Sequence, residues 1–222
     1  MRHRIKTKTN IIPLFMQDGN MKDKVIKDLF TYWEQLRGDR IAPARSEIDP
    51  RKIKGTLEHT FILETVQTGA PRFRLAGIEV CDLLGMELRG MPSDALIDPV
   101  HRDMFKHIAT QVLNAPHIAE LRLEGQLAGG RSVLGRMILM PLRDETGALT
   151  RILGAATLDH ELMRPPVRFT IKNKTITRIV SSQNMPMGAA IEGGMAEPAH
   201  TFQRQTKRPL NTGQRPNLKI VK

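Results

Sequence analysis

The sequence has few cysteines, few aromatic residues and no long apolar run. Its 222 residues include one Cys, one Trp and one Tyr, and aromatic residues make up 4%. The single cysteine, Cys81, excludes an intramolecular disulfide and a zinc site built from several cysteines. No stretch approaches the roughly 20 uninterrupted apolar residues that cross a bilayer. We therefore expect a soluble protein of the reducing cytoplasm, with no metal site and no membrane span.

Acidic residues are scarce at both ends of the chain. Residues 1–24 carry six Lys and Arg against two Asp, and residues 164–222 carry eleven against two Glu. Since the net charge is +11, residues 25–163 have a net charge of −2. Basic flexible ends more often serve solubility or weak polyanion binding than a specific interface. Nucleic-acid or anionic-membrane binding through these tails is therefore the alternative function rather than the leading one.

Composition divides the chain into three parts. Residues 1–21 form a flexible basic N-terminal extension, in which the apolar run is too short for a signal peptide. Residues 22–164 carry the patterns of a folded domain. Residues 165–222 are expected to be a basic, largely disordered tail, although alternating apolar residues at 167–180 could add an edge strand or hairpin. The true start of translation stays open among Met1, Met16 and Met21.

Residues 22–37 repeat apolar side chains at the spacing of an amphipathic helix. Gly38 supplies the stop, because glycine tolerates the left-handed conformation that ends helices. Such a helix needs an apolar surface to pack on. The apolar stripe consists of Val25, Ile26, Leu29, Phe30, Trp33 and Leu36.

Strand patterns follow in two groups separated by helical turns. A short helical or turn piece is expected at 51–57, and one longer helix begins at Asp98-Pro99 and continues to about Asn114. One of the strands is apolar on both faces, so the sheet requires cover on both faces. The strands are predicted at 58–66, 72–76, 117–125, 131–142 and 150–159.

This order of elements, together with three local motifs, resembles the PAS domain family. The resemblance covers about residues 25–160 and narrows to stand-alone bacterial PAS-domain proteins of uncharacterised function. It implies an α+β fold, a five-stranded antiparallel sheet with short helices on one face and the N-terminal amphipathic helix on the other. The motifs are Tyr32-Trp33 with Leu36-Arg37, Arg40, Pro43, Arg45 and Ile48-Asp49-Pro50, then Arg-Phe-Arg-Leu-Ala-Gly at 72–77, then Gly-Met-Glu-Leu-Arg-Gly at 85–90.

The resemblance also implies sensing, ligand binding or dimerisation, although folds of this kind serve many unrelated ligands and outputs. PAS-like proteins often hold a small ligand between the sheet and the short helices. The alternative is a core filled by the same side chains, since protein interiors normally pack without voids. Aromatic residues are few, so stacking of a flat cofactor is poorly supported. The candidate lining residues are Phe73, Leu75, Leu83, Leu84, Leu96, Phe105, Ile108, Met137 and Leu139.

Four arginines, Arg37, Arg40, Arg45 and Arg74, have two interpretations. Guanidinium groups bind carboxylate or phosphate with two hydrogen bonds, so these side chains could form a site for an anionic ligand. The favoured interpretation is structural. In it the arginines pair with acidic neighbours and backbone carbonyls, and they fix the connection between helix and sheet.

Cofactor and catalytic chemistry have little support. Some PAS domains bind haem through a histidine on the long helix, and His101 lies near the apolar edge of that helix, so a haem or small-molecule sensor is a weaker alternative. Flavin photochemistry is not expected, because Cys81 lacks the Asn-Cys-Arg-Phe-Leu-Gln context of the flavin-photoadduct PAS domains. No spacing joins carboxylates to a nucleophile, a metal site or a phosphate loop, so we predict no enzyme.

The leading hypothesis is a cytoplasmic, non-catalytic signalling module without a cofactor. It would form a homodimer and act on an unidentified signalling protein, with a small-molecule ligand left open. The dimer would use the helix at 22–37 and the outer face of the sheet, because aromatic side chains carry a large share of interface energy. The predicted interface residues are Val25, Leu29, Phe30, Trp33 and Leu36.

Overall fold

The structure is a computed structural model that describes residues 21–65, 70–127, 131–159 and 165–180. These residues form an α+β fold, in which one six-stranded antiparallel sheet has helices on both faces. The predicted N-terminal extension (1–21) lies outside the described residues except for Met21, and the predicted C-terminal tail (165–222) lies outside them from residue 181 onward. Residues 66–69, 128–130 and 160–164 also lie outside the described residues.

All five predicted strands form, and a sixth strand joins them. The order across the sheet is β2-β1-β5-β4-β3-β6, with antiparallel pairing throughout. The sixth strand is a correction to the five-stranded prediction and lies beyond the predicted domain boundary at residue 164. It is the edge strand that the alternation at 167–180 allowed; it pairs with β3, and of its residues Phe169 and Ile171 are buried. The strands are β1 (Thr60–Glu64), β2 (Arg72–Ala76), β3 (His117–Gln126), β4 (Ser132–Arg143), β5 (Leu149–Leu158) and β6 (Phe169–Arg178).

The helices also follow the predicted order. They are α1 (Met21–Arg37), α2 (Ile78–Asp82) and α3 (Arg102–Asn114). Helix α1 ends before Gly38, as the sequence predicted. The φ of Gly38 is 58°, and its N–H donates to Glu34 O at 3.1 Å. Short 3₁₀ helices occupy the connections at Arg45–Glu47, Pro50–His59, Ser93–Leu96 and Pro99–His101.

Both faces of the sheet are covered, as the doubly apolar strand requires. Along β4, Met137 and Leu139 join the cluster under α2 and α3, whereas Ile138 and Met140 join the cluster under α1. We call these the inner and the outer face. Each fully buried side chain of this size contributes about 1.5–3 kcal/mol through removal of apolar surface from water. Packing on two faces therefore provides most of the stabilisation.

The turn between β4 and β5 contains the sequence Asp-Glu-Thr-Gly at residues 144–147, between the two predicted strands. Asp144 N donates to Ala148 O at 2.9 Å, which closes the turn. The Asp144 carboxylate accepts from the hydroxyls of Thr146 and Thr150 at 2.7 and 2.8 Å. These hydrogen bonds lower the pKa of Asp144 to about 2.

Candidate functional site

Eight of the nine predicted pocket residues lie together in the inner cluster, and all eight are buried. Leu75 is the exception, with 48% of its surface exposed. A β-bulge causes this difference, because Leu63 pairs with Phe73 while Ile62 pairs with Leu75. The extra residue, Arg74, shifts the alternation by one position, so Leu75 turns away from the inner face. The buried eight are Phe73, Leu83, Leu84, Leu96, Phe105, Ile108, Met137 and Leu139.

Residues that were not among the nine predicted pocket residues also pack in the inner cluster. Val167, just before β6, and Phe169, the first residue of β6, are 0% and 1% exposed. Hydrogen bonds hold this segment in place, since Val167 N donates to Leu83 O at 2.7 Å and Asp98 N donates to Phe169 O at 2.9 Å. The alternation of Val167, Phe169 and Ile171 was the available signal. It indicated a strand but not that the strand would complete the core.

A small cleft lies on the outer face of the sheet. Ile26 of α1 borders it, and its volume is about 30 Å³. Such a volume holds only one or two water molecules, so this cleft is no site for an organic ligand. Its polar lining residues are Glu120, Arg122, Arg136, Asn173 and Thr175.

Arg37 is buried at the end of α1 with only 4% of its surface exposed. Its Nε donates to Glu34 Oε2 at 2.9 Å, and its Nη2 donates to the other oxygen of the same carboxylate. Its Nη1 donates to Arg40 O at 2.7 Å. The guanidinium carbon lies 5.7 Å from the centre of the Trp33 ring, a cation–π contact. These partners occupy the guanidinium group, which supports a structural role.

Arg40 ties the end of α1 to the 3₁₀ helix at Arg45–Glu47. Its Nε donates to Arg37 O at 3.1 Å, and its Nη2 also donates to Leu36 O, one of the carbonyls that a helix end leaves unpaired. The two Nη atoms donate to both carboxylate oxygens of Glu47 at 3.0 and 2.9 Å. The hydrogen bonds from Arg40, and then that from Ala44 N, lower the pKa of Glu47.

The other two arginines are less engaged. Arg74 Nε lies 3.7 Å from Glu64 Oε2, and the Arg74 side chain is 59% exposed. For Arg45, the described part of the chain provides no side-chain hydrogen bond. The structure therefore brings Arg37 and Arg40 together and leaves Arg45 and Arg74 apart from them.

We expect Arg40→Ala to lower the free energy of unfolding by about 1–2 kcal/mol, because it removes donors from two helix-end carbonyls and from Glu47. Chemical denaturation followed by Trp33 fluorescence measures this loss. The loss should shrink as the pH falls below the ordinary glutamate range, because the Glu47 carboxylate then becomes protonated and loses its ion pair.

The matched control is Arg45→Ala, which should change stability by no more than about 0.5 kcal/mol. An equal loss in both variants would contradict the structural role assigned to Arg40. So would a stabilisation of the wild-type protein by inorganic phosphate that Arg40→Ala abolishes, because that result indicates an anion site.

The predicted dimer-interface residues lie mostly inside the chain. Leu29, Phe30 and Trp33 are 0%, 3% and 0% exposed, because they pack on the outer face of the chain's own sheet. Trp33 Nε1 donates to Pro141 O of β4 at 2.9 Å. Val25 and Leu36 are half-buried. With α1 docked in this way, the anchors predicted for a dimer are not accessible to a second copy, which is a correction to that prediction.

His101 and Cys81 are the two side chains that the sequence analysis considered for cofactor chemistry. His101 is half-buried at the end of the 3₁₀ helix before α3, and its Nδ1 is buried with no hydrogen-bond partner among the described residues. Cys81 is 8% exposed on α2, and its Sγ lies 4.0 Å from Ala76 O. The thiol therefore packs as a small apolar group at the margin of the inner cluster.

An antiparallel sheet with a long helix on one face and short helices on the other defines the class of PAS-like α+β domains. The PAS domain sequence profile matches residues 21–157, more than half of the chain. The chain belongs to the PAS domain family, as the resemblance predicted. This family consists in general of sensory or signalling modules. The match ends before β6, so the sixth strand is an addition to the family's part of the chain.

Solved structures similar to the chain include light-sensing and PAS domains. The light-state LOV domain of the blue-light photoreceptor Aureochrome1 is 15% identical, with a TM-score of 0.36, over 50% of this chain and 88% of that one. The PAS domain of a Colwellia psychrerythraea protein is 17% identical, with a TM-score of 0.34, over 49% and 96%. The Rhodobacter sphaeroides LOV protein is 12% identical, with a TM-score of 0.37, over 64% and 71%. Values this low carry no inference about ligand or chemistry.

A sequence comparison with curated proteins found no match. Within the described ranges, no helix has both the length and the apolar character needed to cross a bilayer.

Proposed function

We propose that the chain is a non-catalytic PAS signalling module that acts through contact with another protein and holds no cofactor. The filling of the inner cluster by the chain's own side chains carries this proposal. Eight predicted pocket residues pack there, and Val167 and Phe169 add to them from outside the family match. An interior filled by side chains at normal density has no room for a flat cofactor.

Helix α1 packs on the outer face of the sheet, so it links the sheet to the N-terminal end of the domain. Trp33 joins α1 to Pro141 of β4, and Arg37 packs over the Trp33 ring. A partner that shifts the sheet would change the position of α1 through these contacts. Packed side chains and hydrogen bonds of this kind can couple two surfaces.

Homodimerisation stays a prediction. Because the apolar face of α1 is buried against its own sheet, a dimer would have to use another surface. Nucleic-acid or anionic-membrane binding concerns tails that lie outside the described residues, and it also stays a prediction.

Native mass spectrometry and absorption spectroscopy of the freshly purified full-length chain test the proposal. We expect the mass of the polypeptide without a bound small molecule, and no absorption band in the visible range. A small molecule retained in stoichiometric amount would contradict the proposal. If the protein is coloured, His101→Ala serves as the control, because loss of the colour would identify the haem alternative.

The same spectra test homodimerisation. A mass twice that of the polypeptide at micromolar concentration supports it, and a monomer mass alone contradicts it.

A further inference from the structure

A second cavity lies at the surface beside α2, on the side of the helix away from the core. It is an open surface hollow of about 430 Å³. Its walls come from the end of β2, from α2 and from the turn that follows α2. Its side chains include Ile78, Asp82, Met86 and Glu87. We call this cavity the α2 hollow.

Two large apolar side chains of the α2 hollow are exposed to solvent. Ile78 is 59% exposed and Met86 is 54% exposed. Val80 and Leu83 of the same region already face the core, so the core does not account for the apolar character of Ile78 and Met86. Two apolar side chains exposed side by side, with polar residues around them, provide a surface that a partner can cover. Methionine suits such a surface, because its flexible thioether adapts to different partners.

The charged side chains of the α2 hollow are acidic. Asp82 and Glu87 line it, and among the described residues that line it there is no Lys or Arg. Among the described residues, the Asp82 carboxylate has no hydrogen-bond partner, and Glu87 Oε1 accepts only the backbone N–H of Arg89 at 3.0 Å. Both carboxylates therefore keep free acceptor capacity. These carboxylates favour a cationic partner and disfavour nucleic acid and anionic lipid.

We propose that the α2 hollow docks a basic amphipathic segment of a partner protein. Apolar side chains of that segment would pack against Ile78 and Met86, and its Lys or Arg side chains would pair with Asp82 and Glu87. This pattern of apolar anchors with charged flanks is the usual way in which a surface groove recognises a peptide segment. The inference rests on the proposed function, since it names the surface and the partner chemistry of a module that acts by protein contact.

The first test uses the full-length chain with isotope-labelled Ile and Met methyl groups. The probe is a synthetic amphipathic peptide of Leu and Lys. Two matched peptides serve as controls, one with Glu in place of Lys and one with Ser in place of Leu. We expect the Leu–Lys peptide to shift the Ile78 and Met86 methyl signals in NMR spectra until they saturate, and both control peptides to bind at least about tenfold more weakly.

Substitutions locate the binding surface. Ile78→Ser and Asp82→Lys should each weaken binding of the Leu–Lys peptide by about tenfold or more. The matched control is Leu134→Ser, which removes an equally exposed apolar side chain, 54% exposed, from the opposite face of the sheet. This variant should bind like the wild type.

The proposal is overturned if the Leu–Lys peptide does not bind, if the Glu peptide binds as well, or if Leu134→Ser weakens binding as much as Ile78→Ser. Shifts of the Ile78 and Met86 signals with protein concentration alone would also overturn it, because a second copy then occupies the hollow. These outcomes leave the proposed function untouched. A retained cofactor would instead contradict the proposed function, whatever the peptide does.

Discussion

Trp33→Ala is expected to lower the free energy of unfolding by about 3–5 kcal/mol. Trp33 is 0% exposed and lies in the outer cluster, so its removal leaves a cavity between α1 and the sheet. The substitution also leaves Pro141 O without its donor and Arg37 without its cation–π contact. Since native domains are stable by only about 5–15 kcal/mol, this loss is a large share of the total.

Urea denaturation followed by far-UV circular dichroism measures this change, because the variant lacks the chain's only tryptophan. The matched control is Gln35→Ala on the exposed side of the same helix, which should change stability by no more than about 0.5 kcal/mol. If Trp33 instead anchored a dimer, Trp33→Ala would turn a dimer into a monomer of nearly unchanged stability. Light scattering on the same samples distinguishes the two results.

Phe169→Ala is also expected to lower the free energy of unfolding by about 3–5 kcal/mol. Phe169 is 1% exposed in the inner cluster, at the start of the strand that the family match does not include. Gly125 of β3 makes room for this segment, because a Cβ at that position would overlap Val167. The expected loss is that of a core residue, whereas a peripheral edge strand would tolerate the change.

Denaturation followed by Trp33 fluorescence measures this second loss, since Trp33 lies on the other face of the sheet and reports unfolding of the domain as a whole. Asn173→Ala, an exposed position on the same strand, is the control and should have little effect. A loss below about 1 kcal/mol for Phe169→Ala would show that β6 is dispensable for the core. It would also weaken the case for a filled inner cluster, on which the proposed function rests.

Periodicity and turn chemistry predicted the elements that depend on local sequence. The apolar stripe of α1, its stop at Gly38 and the β4–β5 turn all appear where the sequence placed them. The apolar residues on both faces of β4 correctly required helices on both faces of the sheet. In each case the determining interactions lie within a few residues along the chain.

The candidate site was predicted less completely. Alternation placed Leu75 in the inner cluster, but a bulge in the pairing of β2 with β1 turned it outward. The same sequence reasoning treated Leu29, Phe30 and Trp33 as a surface for a second copy, whereas the sheet of the same chain covers them. A stripe of apolar residues shows that a helix must be covered, and it does not show by what.

The sequence by itself determined the class of fold, the positions of the first five strands along the chain and the need for cover on both faces of the sheet. These features follow from short-range periodicity and turn residues. Only the tertiary structure decided that a sixth strand completes the inner cluster, that Arg40 rather than Arg45 holds the end of α1, and that Ile78 and Met86 share an exposed acidic hollow. The physical reason is that β6 pairs with a strand far away along the chain, and that the connections which hold Arg40, Ile78 and Met86 are irregular and have no periodic pattern. A local pattern contains neither kind of information.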